Sequence, residues 1–82
     1  MSEEISPAIA AHVLNFFDRE EGYNPGGYFS AFYELLSRAD AQNVNRLSEA
    51  YPVQVSAFLM ARKSQEGMDK LREIAKPKLV AL

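Results

Sequence analysis

Apolar residues recur every three or four positions along almost the whole chain, the period of helices that each bury one face. Ser6-Pro7 supplies a serine N-cap with proline at the first helical position. Beyond it Ile9, Ala10, Val13, Leu14, Phe16 and Phe17 gather on one broad face. Asn15, Asp18 and Arg19 fall opposite, with His12 on the border. This first helix is expected to fade near Glu20-Glu21-Gly22.

Asn24-Pro25-Gly26-Gly27 is turn chemistry, because proline presets φ and glycine reaches conformations other residues avoid. A second helix is expected over about Gly27–Ala39. Tyr28, Phe29, Phe32, Tyr33, Leu35, Leu36 and Ala39 are assigned to its core face, against Ser30, Glu34, Ser37 and Arg38. Asp40 can cap a third helix reaching about Ala50, with a stripe of Val44, Leu47 and Tyr51. Pro52 breaks the chain and suits the first turn of a fourth helix. In that helix Val53, Val55, Ala57, Phe58, Leu59, Met60 and Ala61 point nearly all round, so it should lie centrally or have a second face covered. Ser64 can cap a fifth helix with Met68, Leu71, Ile74 and Ala75 inward, ended by Pro77. The apolar Leu79–Leu82 is expected to dock on the core.

The pattern therefore predicts an all-α fold: a compact bundle of four to five short helices forming one domain over 1–82, with 1–5 and 77–82 as loosely ordered tails. Helices this short owe their stability to packing rather than to propensity. At 82 residues a core is possible but not generous. The 48% apolar share is that of a globular chain.

Charge and composition remove several function classes. The chain has no cysteine, which excludes a disulfide scaffold, a thiolate metal site and a cysteine nucleophile. One histidine, His12, is too few for a typical zinc site. Gly22–Gly27 lacks the basic residue and preceding strand of a phosphate-binding loop. Asp40-Ala41-Gln42-Asn43-Val44-Asn45 lacks the glycine and terminal glutamate of a calcium loop. The pairs Glu3-Glu4 and Glu20-Glu21 have nothing to drive two carboxyl pKa values apart. The expectation is a non-enzymatic protein without cofactor or metal. No apolar run approaches a membrane span, and the acidic start MSEEIS is unlike a signal peptide, so a cytoplasmic address is expected.

Net charge is −2, but it is uneven. Residues 1–21 carry −4 and residues 62–82 carry +3, so the two ends can attract one another.

Two binding readings remain. Aromatic excess points to a protein-interaction module, since tyrosine joins large apolar area to a polar tip. Its surface would include Tyr23, Pro25 and Tyr28 at the turn, with the basic Lys70, Arg72, Lys76 and Lys78. Against this stands the possibility that the two tyrosines only staple the turn to the core. The alternative is a helix-turn-helix DNA-binding regulator using helices about 27–39 and 41–50, with Arg38, Gln42, Asn43, Asn45 and Arg46 reading bases. Few cations support it, and Glu34, Asp40 and Glu49 oppose it, so nucleic acid stands behind protein as a partner. Self-association through the fourth helix or the Leu79–Leu82 tail is a third route.

The run Gly22–Lys63 resembles small, mostly uncharacterised proteins encoded by actinobacterial phages and prophages. The matching positions are Pro25-Gly26-Gly27, Phe29, Arg38-Ala39-Asp40, Asn43, Asn45, Leu47 and Tyr51-Pro52. The resemblance implies an accessory protein that binds a host or phage protein and alters it. It assigns no site residues.

Overall fold

The computed structural model describes residues 4–80, with side chains as far as Pro77. Five helices follow in order: α1 Pro7–Phe17, α2 Gly27–Arg38, α3 Ala41–Ala50, α4 Pro52–Lys63 and α5 Gln65–Val80. No strand occurs among the described residues. The side chains of Lys78, Leu79 and Val80, residues 81–82 and Glu3 lie outside them, and with them the expected docking of the C-terminal tail.

The start signals act as the chain pattern predicts. The Ser6 hydroxyl accepts from the Ile9 N–H at 3.2 Å, the Asp40 carboxylate from the Asn43 N–H at 2.9 Å, and the Ser64 hydroxyl from the Gly67 N–H at 3.1 Å. Each satisfies a donor that a helix start leaves open. Two ends differ from expectation. α1 stops at Phe17 rather than near Gly22, because the Asp18 side chain accepts from the Glu20 N–H and folds the backbone into a local turn that competes with the helix. α5 runs through Pro77 to Val80 instead of ending there. Proline removes the donor that the Glu73 carbonyl would use, but both residues are exposed, so water can serve that carbonyl.

α1, α4 and α5 form the packed centre, α3 lies along α4, and α2 covers one side. Two glycines permit this closeness. A Cβ on Gly67 would fall 1.8 Å from the Met60 carbonyl oxygen, so α5 crosses α4 with backbone against backbone. Gly22, at φ 58°, brings the loop over α1, where a Cβ would lie 1.9 Å from the Ala11 carbonyl oxygen. Buried Ala10, Ala11, Ala57 and Ala75 thin the same interfaces.

α4 is the central helix. Val55, Ala57, Phe58 and Ala61 are buried and Leu59 and Met60 half-buried, which accounts for its all-round apolar character without a second copy. α2 docks by rings instead of backbone. Tyr33 stacks on Phe58 with centroids 6.2 Å apart and planes at 9°, and Phe16 completes the cluster at 5.6 Å from Phe58. Large rings like these carry much of the apolar burial in a small domain.

The opposite charges of the chain ends meet directly. Arg72 on α5 donates from Nε and Nη2 to the two carboxylate oxygens of Glu21, both at 2.7 Å. Asp69 takes its third nitrogen at 2.6 Å.

Candidate functional site: the groove between α2 and α3

α2 carries two interleaved apolar stripes. Phe29, Phe32, Tyr33 and Leu36 follow the i, i+3, i+4, i+7 spacing and face the core. Tyr28, Ala31 and Leu35 follow i, i+3, i+7 and face outward, with Tyr28 67% and Leu35 57% exposed. The assignment of Leu35 to the core is therefore corrected. A helix of twelve residues buries one side, and its core side is already filled by the rings.

α3 stands beside this outward stripe and buries no residue completely. Leu47 and Tyr51 lean toward α2 and bound an open groove of about 320 Å³ floored by Ala31 and Phe32. The groove continues past Leu35 and Leu47 into a second hollow of about 400 Å³ at the turn, walled by Ala39, Arg38, Asn43 and Arg46.

The far end is spanned by a hydrogen bond between the Tyr28 and Tyr51 hydroxyls. This bond, with a smaller contribution from burial, holds Tyr51 above the usual tyrosine pKa. It also links the far ends of the two helices. Both tyrosines stand about 16 Å along their helices from the Ala39-Asp40 turn at 1.5 Å per residue, yet their ring centroids are 6.4 Å apart.

The residues of the DNA-reading alternative are all exposed. Gln42, Asn43, Asn45 and Arg46 are exposed on α3. Arg38 pairs with Glu34 one turn earlier at 3.0 Å. Arg46 makes no ion pair among the described residues.

The turn residues have different surroundings. Tyr28 belongs to the groove. Tyr23 is half-buried and sets its ring edge-on to His12 at 5.0 Å, tying the loop to α1. Pro25 lines a separate polar cleft of about 370 Å³ between α1 and the start of α2. Much of that cleft's polarity is spent on holding the loop. The Asn15 side chain donates to the Arg19 and Glu21 backbone carbonyls, and the Asn24 side-chain oxygen Oδ1 accepts from the Gly26 N–H and the Ser30 hydroxyl.

Arg72, expected at a partner surface, is partly exposed and paired within the fold. Its guanidinium is committed to Glu21 and Asp69, which raise its pKa further while Arg72 holds the Glu21 carboxyl below the usual range. Lys76 pairs at 3.7 Å with Glu73, Lys70 is exposed, and the Lys78 side chain is outside the described residues.

Among the described residues no three His, Cys, Asp or Glu side chains come together to hold a metal. No described helix is long and apolar enough to cross a membrane.

Comparison of the chain with protein-family models, curated proteins and solved structures gives no match.

Proposed function

We propose that the chain is a small non-enzymatic interaction module that binds another protein along the α2–α3 pair. The observation that carries this reading is the second stripe of α2. Tyr28 and Leu35 are the large apolar side chains of that helix left in solvent, and they open into a groove that Leu47 and Tyr51 extend. Exposed apolar side chains scattered singly need no explanation, whereas Tyr28 and Leu35 line one hollow together. With the resemblance of residues 22–63 to phage accessory proteins carried over as part of the proposal, the partner is a host or phage protein inside the cell.

The test compares retention of partner proteins from a presumed host extract by the wild-type chain and by Leu35→Asp, with circular dichroism on both. A protein held by the wild type, released by Leu35→Asp and still held by Lys70→Glu supports the reading. Equal retention by folded wild type and Leu35→Asp defeats it.

A further inference from the structure

The cleft between α1 and the start of α2 holds a buried polar group that the fold leaves unused. Tyr33 is 1% exposed, and its ring stacks on Phe58, a packing role that phenylalanine would fill as well. Its hydroxyl makes no hydrogen bond among the described residues, and burial is the sole cause of its raised pKa. Buried tyrosines ordinarily find a partner for that group. Among the described residues that are not exposed, no side-chain nitrogen or oxygen is both sealed from solvent and unbonded. The hydroxyl therefore reaches a hollow. Tyr33 lines the cleft and a smaller hollow of about 100 Å³ that adjoins it at His12 and Tyr33.

We propose that this cleft binds a small zwitterion of the free amino acid type, with the Tyr33 hydroxyl as its most buried contact. The cleft shares no lining residue with the α2–α3 hollows, so the site stands apart from the docking surface. Its volume of about 370 Å³ lies at the low end for small-molecule sites, which suits a guest of amino acid size. Phe16 supplies an apolar wall for the guest's side chain.

Both signs of charge line the cleft, and each comes with a neutral helper. Arg19 is exposed and makes no ion pair among the described residues. Asn24 has its Oδ1 occupied by the Gly26 N–H and the Ser30 hydroxyl, which leaves its amide N–H groups for an acceptor. These donors suit a carboxylate. Glu34 gives Oε1 to Arg38 and keeps Oε2 open. Asn15 spends its side-chain N–H groups on two backbone carbonyls and keeps Oδ1. These acceptors suit an ammonium. A guest of one charge would attract one of Arg19 and Glu34 and repel the other. A zwitterion meets both, because it carries its two charges on one carbon.

The experiment titrates the isotope-labelled full chain with each of the common free L-amino acids up to millimolar concentration and follows amide chemical shifts. At least one is expected to give saturable shifts at Asn15, Asn24 and Ser30. The amine lacking its carboxylate and the N-acetyl derivative lacking its ammonium should each bind about tenfold more weakly or worse. Tyr33→Phe should weaken binding of the parent amino acid by a similar factor while keeping the wild-type circular dichroism. Arg19→Gln and Glu34→Gln, both at exposed positions, should do the same and carry the test if Tyr33→Phe does not fold. Absence of saturable shifts at the cleft with every amino acid would overturn the site. Equal binding by the amine or the N-acetyl derivative would overturn the zwitterion, and unchanged binding by folded Tyr33→Phe would overturn the role of the hydroxyl.

Discussion

Glu21 and Arg72, 51 positions apart in the chain, face each other as a two-pronged fork with both contacts at 2.7 Å. The pair ties the loop after α1 to the middle of α5, and so joins the acidic start of the chain to its basic end. Its two side chains are 26% and 38% exposed, so water screens it only in part.

Glu21→Gln is expected to lower stability by no more than about 1 kcal/mol, the range of a partly solvated pair with good geometry. The effect should depend on pH. The Glu21 carboxyl is held below its ordinary 4.5, first by the hydrogen bond from Arg72. Its stabilisation is therefore present above the unfolded-state pKa and is lost as pH falls through the lower folded-state value. Urea melts should separate wild type from Glu21→Gln at pH 7 and converge well below pH 4.5. A constant gap would remove the carboxylate from the account.

Gly67→Ala tests the α4–α5 crossing. Inside a helix, alanine is favoured over glycine by about 1 kcal/mol, so propensity alone predicts stabilisation. The new Cβ would instead lie 1.8 Å from the Met60 carbonyl oxygen, a clash with backbone that no side-chain rotation relieves. Overpacking of this kind costs about 1–3 kcal/mol and occasionally more. The expected result is net loss of thermal stability, with the neighbouring exposed Lys70→Ala nearly neutral as the control.

The fold was legible because its signals are local. Ser6-Pro7, Asp40, Tyr51-Pro52 and Ser64 mark helix starts by satisfying open donors or by tolerating a missing one, and all lie where their elements begin. The groove was legible only in part. Tyr28 stood out by its place beside the turn, but Leu35 merged with Phe32 and Leu36 into one wide apolar face. Two interleaved stripes become separate only when the positions are split into 29, 32, 33, 36 and 28, 31, 35. Which stripe faces the core then depends on the rings of Phe16 and Phe58 across the interior, a contact between distant segments. Gly67 and the Glu21–Arg72 fork are hidden for the same reason.

Alkaline titration of the tyrosines should resolve two classes of late ionisation. Burial pushes Tyr33 up to about 12, so the folded state favours its neutral form. Tyr33 thus contributes stability that is complete below the unfolded-state value of 10.0 and is lost as pH rises toward 12. Tyr33→Phe should abolish the latest absorbance step while leaving the fold intact at neutral pH. Tyr51 is raised chiefly by its bond to Tyr28, so Tyr28→Phe should bring the Tyr51 step back toward ordinary tyrosine without moving that of Tyr33.

Tyr28→Phe also separates the two roles of the far ends of α2 and α3. Tyr28 is 67% exposed, and its hydroxyl spans from α2 to Tyr51 at the end of α3. Removing the hydroxyl keeps the ring, its edge-on contact with Phe29 at 5.0 Å and the apolar area offered to a guest. The thermal midpoint should scarcely move, because a solvent-exposed hydrogen bond is readily exchanged for bonds to water. Amide exchange in the last turn of α3 should quicken, since α3 buries no residue completely and loses its tie to α2 there. Leu35→Asp should do the reverse: it leaves the tie and the exchange rates in place and removes the apolar centre of the groove. If partner binding survives Tyr28→Phe and is lost with Leu35→Asp, the groove acts through its apolar floor. If binding is lost with Tyr28→Phe alone, the Tyr28 hydroxyl, through its bond to Tyr51 or by direct contact, is what the partner requires.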